Sequence, residues 1–149
     1  MIKVGIIGYG KFGKIRHEAI KLNNYSKIES IYDPVKVNLD SDITFSKSVD
    51  EILYNKEIDA VFICTPNYMN KELTIKSLRA SKHVFCEKPP AFNAREVKEI
   101  MLIEKSANKK LMYGFNHRHH QSIIEMKDIK KNNNYGKVLW MRGRYGKSV

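Results

Sequence analysis

Apolar runs alternate with stretches of helical period along most of this chain, and that alternation predicts a parallel sheet with crossover helices. Residues 2 to 7 form the first expected strand. Phe12, Ile15, Ala19 and Leu22 then recur at helical spacing and predict the buried face of a first helix. Lys27 to Asp33 reads as a second strand stopped by Pro34, residues 35 to 42 as loop, and Ile43 to Phe45 as a short third strand. Ser48-x-x-Glu51 is a capping-box signature for a helix running to about Asn55. Asp59 to Cys64 is a fourth strand, apolar enough for burial on both faces. Thr65-Pro66-Asn67 breaks it, and Asn67 is placed to cap a helix that reaches Ala80. His83 to Cys86 is a fifth strand, and Asn93-x-x-Glu96 opens a helix whose Val97, Ile100 and Met101 should face the core. Lys110 to Phe115 is a sixth strand. A helix over Gln121 to Lys131 follows, ended by Asn132-Asn133-Asn134, and Lys137 to Tyr145 reads as one more strand.

These elements predict an α/β chain with a doubly wound parallel sheet of the Rossmann kind over residues 1–119. Residues 120–149 read as the start of a second α/β domain whose remainder is absent. On that reading Val138, Leu139, Trp140 and Met141 lie on an incomplete sheet edge, which should promote self-association into a homo-oligomer.

The chemistry enters at Gly8-Tyr9-Gly10-Lys11-Phe12-Gly13, directly after the first apolar run. Three glycines at this spacing are a weak signal alone. Here a strand precedes them, an amphipathic stretch follows, and Asp33 stands 20 positions past the last glycine, as a dinucleotide-binding fingerprint requires. Gly8 permits the tight turn, Gly10 leaves room for a pyrophosphate, and Gly13 lets the helix pack closely on the sheet. The helix N-terminus then points free N–H groups at the phosphates, with Lys11 and Lys14 as added charge or as solvated surface. Asp33 would accept hydrogen bonds from both hydroxyls of the adenosine ribose and repel a 2′-phosphate, which predicts NAD over NADP.

Composition narrows the classes. The net charge of +11, from 27 Lys+Arg against 16 Asp+Glu, raises the question of nucleic acid. The basic residues are spread along the chain, and no basic stretch is interleaved with aromatics, so a nucleic-acid-binding domain is the weaker reading. Neither a charged-then-apolar leader nor a long apolar run is present, which predicts a cytoplasmic protein without a membrane partner. Cys64 and Cys86 are too few for a disulfide scaffold and fall at strand ends, as small buried thiols. His117, His119 and His120 lack the i, i+4 spacing and the neighbouring carboxylate or cysteine of a zinc site, so no metal is expected. His17 and His83 read as structural histidines.

In an open parallel sheet, ligands bind outside the carboxyl ends of the strands. The glycine loop, Asp33, Cys64-Thr65-Pro66-Asn67, Glu87-Lys88-Pro89 and Gly114-Phe115-Asn116-His117-Arg118 all fall there, and predict one cleft. With Lys82-His83-Val84-Phe85-Cys86 leading into Glu87-Lys88-Pro89, these segments resemble the N-terminal domain of the glucose-fructose oxidoreductase and inositol dehydrogenase family, Gfo/Idh/MocA. The resemblance covers the whole chain, and Glu-Lys-Pro is its most specific part. It implies an NAD-dependent oxidoreductase moving a hydride between nicotinamide and a hydroxyl-bearing carbon of a sugar, sugar nucleotide or cyclitol. By the same resemblance Lys88 is the catalytic residue, bonding the reacting hydroxyl and the nicotinamide ribose, and Glu87 holds that ribose. Thr65, Pro66 and Asn67 line the cofactor, Asn116 lies near the nicotinamide, and His117 and Arg118 face the substrate. An ammonium partly desolvated beside the cofactor has its pKa lowered and can relay a proton.

The sequence departs from the family pattern at Asn70, where a histidine is common, and at Ser81, where many members have glycine. The Asp-x-x-x-His helix that supplies the acid/base partner of the lysine is not visible, so the 149-residue chain alone is expected to be inactive. A non-catalytic NAD-binding module is the alternative.

Overall fold

The computed structural model describes residues 1–133, 135–144 and 146. The chain divides into two compact units, Met1–Gly114 and a second beginning at Phe115. In the first unit the strands β1 (Ile2–Ile7), β2 (Ser26–Tyr32), β3 (Thr44–Phe45), β4 (Ala60–Ile63), β5 (His83–Cys86) and β6 (Leu111–Tyr113) form one sheet in the order β3-β2-β1-β4-β5-β6. Every neighbouring pair runs parallel. The order reverses between β1 and β4, and this switch opens a crevice at the carboxyl ends of the strands.

Strand alternation sends side chains to two cores. Ile7, Val61, Ile63, Val84 and Cys86 face one side and meet Ile52 and Leu53 of α2 (Val49–Tyr54) and Leu73 and Leu78 of α3 (Asn67–Arg79). Ile103 and Ala107 of α4 (Ala94–Ala107) pack on the same cluster. Val4, Ile6, Ile28 and Ile31 face the other side and bury Ile20 of α1 (Lys11–Lys21).

The expected inner face of α1 is wrong. Phe12, Ile15 and Leu22 are 44%, 46% and 85% exposed and Ala19 is also on the surface, whereas Gly13, His17 and Ile20 are buried. Gly13 decides the rotation: a Cβ there would lie 2.2 Å from the Gly8 carbonyl oxygen, so only a residue without one can face the strand at this approach. His17, one turn on, is thereby turned inward and meets the Tyr9 hydroxyl at 2.7 Å through Nδ1. In α4, Ile100 is buried as expected, but Met101 is 57% exposed.

Local start signals behave as their chemistry dictates. The Ser48 hydroxyl accepts from Glu51 N at 3.2 Å, and the Glu51 carboxylate reaches back to Lys47 N at 2.7 Å. Asn93 and Glu96 repeat the arrangement, Asn93 Oδ1 accepting from Glu96 N and Glu96 from Phe92 N. Asn67 does not cap α3. The helix begins one residue early with Pro66 in the cap position, leaving Asn67 as its first residue and exposed.

α3 ends with Lys82 N donating to Ser77 O and Ser81 N to Leu78 O, each at 3.0 Å, and with Ser81 at φ 60°. This paired closure calls for a left-handed residue, which glycine adopts without a Cβ penalty. Ser81→Gly is therefore expected to stabilise the protein by about 0.5–1 kcal/mol, read as a higher thermal midpoint. An unchanged or lower midpoint would contradict it. The next residue, Lys82, is 6% exposed and its ammonium donates to the carbonyls of Asn55 and Ile58. Burial lowers its pKa, and it ties the end of α3 to the turn before β4.

In the second unit, Asn116–His119 form a single 3-10 turn and Gln121–Asn132 form α5, ended by Asn133 in the left-handed region at φ 53°. Ile123, Met126 and Ile129 line an apolar groove of about 380 Å³ with Val138 and Met141. The strand expected over Lys137 to Tyr145 is not present among the described residues, of which Tyr145 is not one. Residues 137–144 are irregular, because no strand lies beside them among the described residues to complete a ladder. The asparagine run ends α5 as expected, although its last member, Asn134, lies outside the described residues.

Candidate functional site

The crevice at the strand-order switch is a cleft of about 610 Å³ in the first unit, lined by residues from the ends of β1, β2 and β4. Its glycine loop leaves β1 through Gly8 at φ +89°, where an added Cβ would meet the Cys64 carbonyl oxygen at 2.8 Å. Gly10 occupies the N-cap of α1 with no side-chain cap, and the first turn contains no acidic residue. The first helical bond is Lys14 N to Gly10 O at 3.0 Å, so the N–H groups of Lys11, Phe12 and Gly13 have no intrahelical acceptor. A Cβ on Gly10 would meet nothing within 4 Å among the described residues. An uncapped helix terminus beside open space in a cleft is a physical fit for a diphosphate.

Asp33 closes the β2 side. One carboxylate oxygen accepts from Tyr9 N at 2.7 Å and the other from Val35 N at 2.9 Å. These bonds hold the carboxylate in a set orientation and join the end of β2 to the glycine loop. An ionised carboxylate has about four acceptor sites, so two remain for a ribose diol. The β4 side is Cys64, Thr65 and Pro66, and Tyr32, Pro34, Tyr68 and Met69 complete the lining. The Cys64 thiol is pushed up to about 12, first by burial and then by the nearby Glu87 carboxylate, so it stays protonated at neutral pH. It is wall, not nucleophile.

Of the residues expected to hold a cofactor, Gly8, Gly10, Lys11, Phe12, Asp33, Thr65 and Pro66 line this one cleft. Gly13 lies beneath it, packed on Gly8. Asn67, Glu87 and Lys88 are not part of the lining. Glu87 is 6% exposed, and its Oε1 accepts from Arg16 Nε at 2.8 Å and Nη2 at 2.5 Å. The guanidinium of Arg16 also lies 4.8 Å from the centre of the Phe85 ring. Lys88 is exposed at the following position, joined to Pro89 by a cis peptide. Asn116, His117 and Arg118 are exposed on the 3-10 turn of the second unit.

Tyr32, Pro34, Tyr68 and Met69 were not singled out from the sequence. Tyr32 and Pro34 flank Asp33, and Tyr68 and Met69 follow Thr65-Pro66-Asn67, so proximity along the chain was the available signal. Arg16 had none, because its partner is 71 residues away, and Asn70 showed only as a departure from the family pattern, its partners lying 17 to 19 residues away.

A parallel sheet in this order, with a glycine turn, an uncapped helix terminus and an acidic residue around its switch point, defines a dinucleotide-binding fold. Residues 2–115 match the oxidoreductase family with an NAD-binding Rossmann fold, Gfo/Idh/MocA, and the chain belongs to that family. It is 34% identical over 128 residues to an uncharacterized oxidoreductase of Streptococcus pneumoniae, covering 80% of this chain and 35% of that protein. It is 30% identical over 148 residues to the myo-inositol 2-dehydrogenase of Thermotoga maritima, covering 95% of this chain and 44% of the relative. Among solved structures it is similar to the scyllo-inositol dehydrogenase of Lactobacillus casei with bound NAD(H) and scyllo-inositol. That likeness has a TM-score of 0.81 and 28% identity, over 91% of this chain and 42% of the other. The chain thus spans less than half the length of these relatives.

Proposed function

We propose that this chain provides the cofactor-holding part of an NAD-dependent oxidoreductase acting on a hydroxyl-bearing carbon of a sugar, sugar nucleotide or cyclitol. The observation that carries the reading is the cleft in which the open side of Gly10, the uncapped terminus of α1 and the anchored Asp33 face one space. In it the N–H groups at the start of α1 hold the diphosphate. Asp33 takes the adenosine ribose hydroxyls, and Tyr32, Pro34, Tyr68 and Met69 supply an apolar wall for the base. When bound, NAD provides the hydride acceptor at nicotinamide C4. Lys88 bonds the nicotinamide ribose and the reacting hydroxyl, and passes the hydroxyl proton toward solvent, the task of a positioned acid/base. Glu87 and Asn116 are assigned to the nicotinamide ribose end, and His117 and Arg118 to the substrate, on the sequence resemblance. The dehydrogenases of inositols among the relatives support a polyol as the substrate class.

Titrating the protein with NAD+ and NADP+ by calorimetry tests the cofactor half, and incubation with NAD+ and a panel of sugars and cyclitols tests the substrate half. NAD+ is expected to bind more tightly. Asp33→Ala should narrow that preference, because it removes both the repulsion of a 2′-phosphate and two charge-assisted bonds of about 1.5–3 kcal/mol each. The same change frees Tyr9 N, so affinity for both cofactors should fall while their ratio closes. Asp33→Asn, which retains an acceptor for Tyr9 N, should close the ratio with a smaller overall loss. Equal or tighter NADP+ binding by the unaltered protein would overturn the assignment of Asp33.

A further inference from the structure

Asn70 lies on the first turns of α3 with no exposed surface. Its Nδ2 donates to the Glu87 carbonyl at 2.9 Å and to the Pro89 carbonyl at 2.7 Å. These are the residues on either side of Lys88. The orientation of the amide follows from chemistry, since the reverse placement would set its oxygen against two carbonyl oxygens. Both amide hydrogens are therefore spent on one turn, while Oδ1 is buried with no hydrogen-bond partner among the described residues. Leaving a buried acceptor unpaired is costly. A protein that carries this cost gains a clamp on the backbone at both sides of Lys88.

The surroundings give that clamp a direction. Tyr68 and Met69, just before Asn70, line the cofactor cleft, so the same turn of α3 borders the cleft and holds the lysine segment. Glu87 is tied separately through its side chain to Arg16 on α1. Lys88 itself is exposed and extends from a backbone fixed on both sides. An imidazole N–H carries a single hydrogen and would serve only one of the two carbonyls from a given atom.

We infer that Asn70 is a positioning residue that sets Lys88 against the nicotinamide ribose by bracketing its backbone through the Glu87 and Pro89 carbonyls. The inference rests on the reading of Lys88 as a group that binds that ribose, and the test separates the two. NAD+ and ADP are titrated into the full chain by calorimetry, ADP having the adenosine and diphosphate but no second ribose. Lys88→Ala should weaken NAD+ about tenfold and leave ADP unchanged. Asn70→Ala should do the same, and in the Lys88→Ala background it should add nothing further. Asn70→His, with one donor at the turn, should fall between Asn70→Ala and the unaltered protein, and serves as the readout if Asn70→Ala fails to fold. Equal loss of NAD+ and ADP binding in the Asn70 variants, or additivity with Lys88→Ala, would overturn the positioning role and leave Lys88 in place. If Lys88→Ala binds NAD+ normally, the reading of Lys88 is wrong and the inference falls with it.

Discussion

Gly10→Val is expected to abolish NAD binding while leaving the fold intact. Gly10 is extended at φ −70° and ψ −159°, outside the left-handed region that favours glycine, and no described heavy atom lies within 4 Å of the position a Cβ would take. The folded protein thus accommodates the side chain. The cleft does not, because the valine methyl groups enter the space beside the free N–H groups of Lys11, Phe12 and Gly13. Hydrogen bonds to a charged group contribute about 1.5–3 kcal/mol each, so losing two of them weakens binding by roughly a hundredfold or more. Calorimetry with NAD+ and a thermal melt on the same preparation check both halves. Retained affinity would place the phosphates elsewhere, and a collapsed melt would show that the space around Gly10 is needed for folding.

The second large effect is expected at the ion pair between α1 and the end of β5. The Arg16 and Glu87 side chains are 15% and 8% exposed, and Glu87 Oε2 would lie 2.9 Å from a Cβ on Gly114, so the carboxylate is enclosed on that side. Arg16→Met should destabilise the protein by about 3–5 kcal/mol, since it leaves a buried carboxylate without its cation. Against a typical total of about 5–15 kcal/mol, that loss is severe. Arg16→Met combined with Glu87→Gln should recover much of it, because no charge is then left buried. Denaturant melts of the two variants make the comparison. A double variant no more stable than the single one would mean that the contribution comes from the packing of Arg16 on Phe85 and not from the charge it neutralises.

The two predictions fall on residues of different legibility. Gly10 was readable because its signal is local: the glycine spacing, the preceding strand and Asp33 all sit within one βαβ unit. The pairing of Arg16 with Glu87 was not, since nothing in either neighbourhood names a partner 71 residues distant. Glu87 was noticed only through its place in Glu-Lys-Pro. Asn70 was visible as a departure from the family pattern, yet its grip on both sides of Lys88 depends on α3 and the β5 turn lying side by side.

Taken by itself, the sequence determined the order of strands and helices as far as α5, the caps at Ser48 and Asn93, the glycine turn and the acidic residue that follows it. These features depend on hydrogen bonds and steric preferences within a few residues, which the chain carries wherever it is placed. Only the tertiary structure decided which face of α1 is buried. The pattern of Phe12, Ile15, Ala19 and Leu22 is a valid apolar stripe, but the close approach of Gly13 to the Gly8 carbonyl turns His17 and Ile20 inward instead. It likewise decided that residues 137–144 stay irregular, for a strand exists only where a second strand completes its ladder. Periodicity says that one side of an element seeks burial; contact with a particular neighbour says which side obtains it.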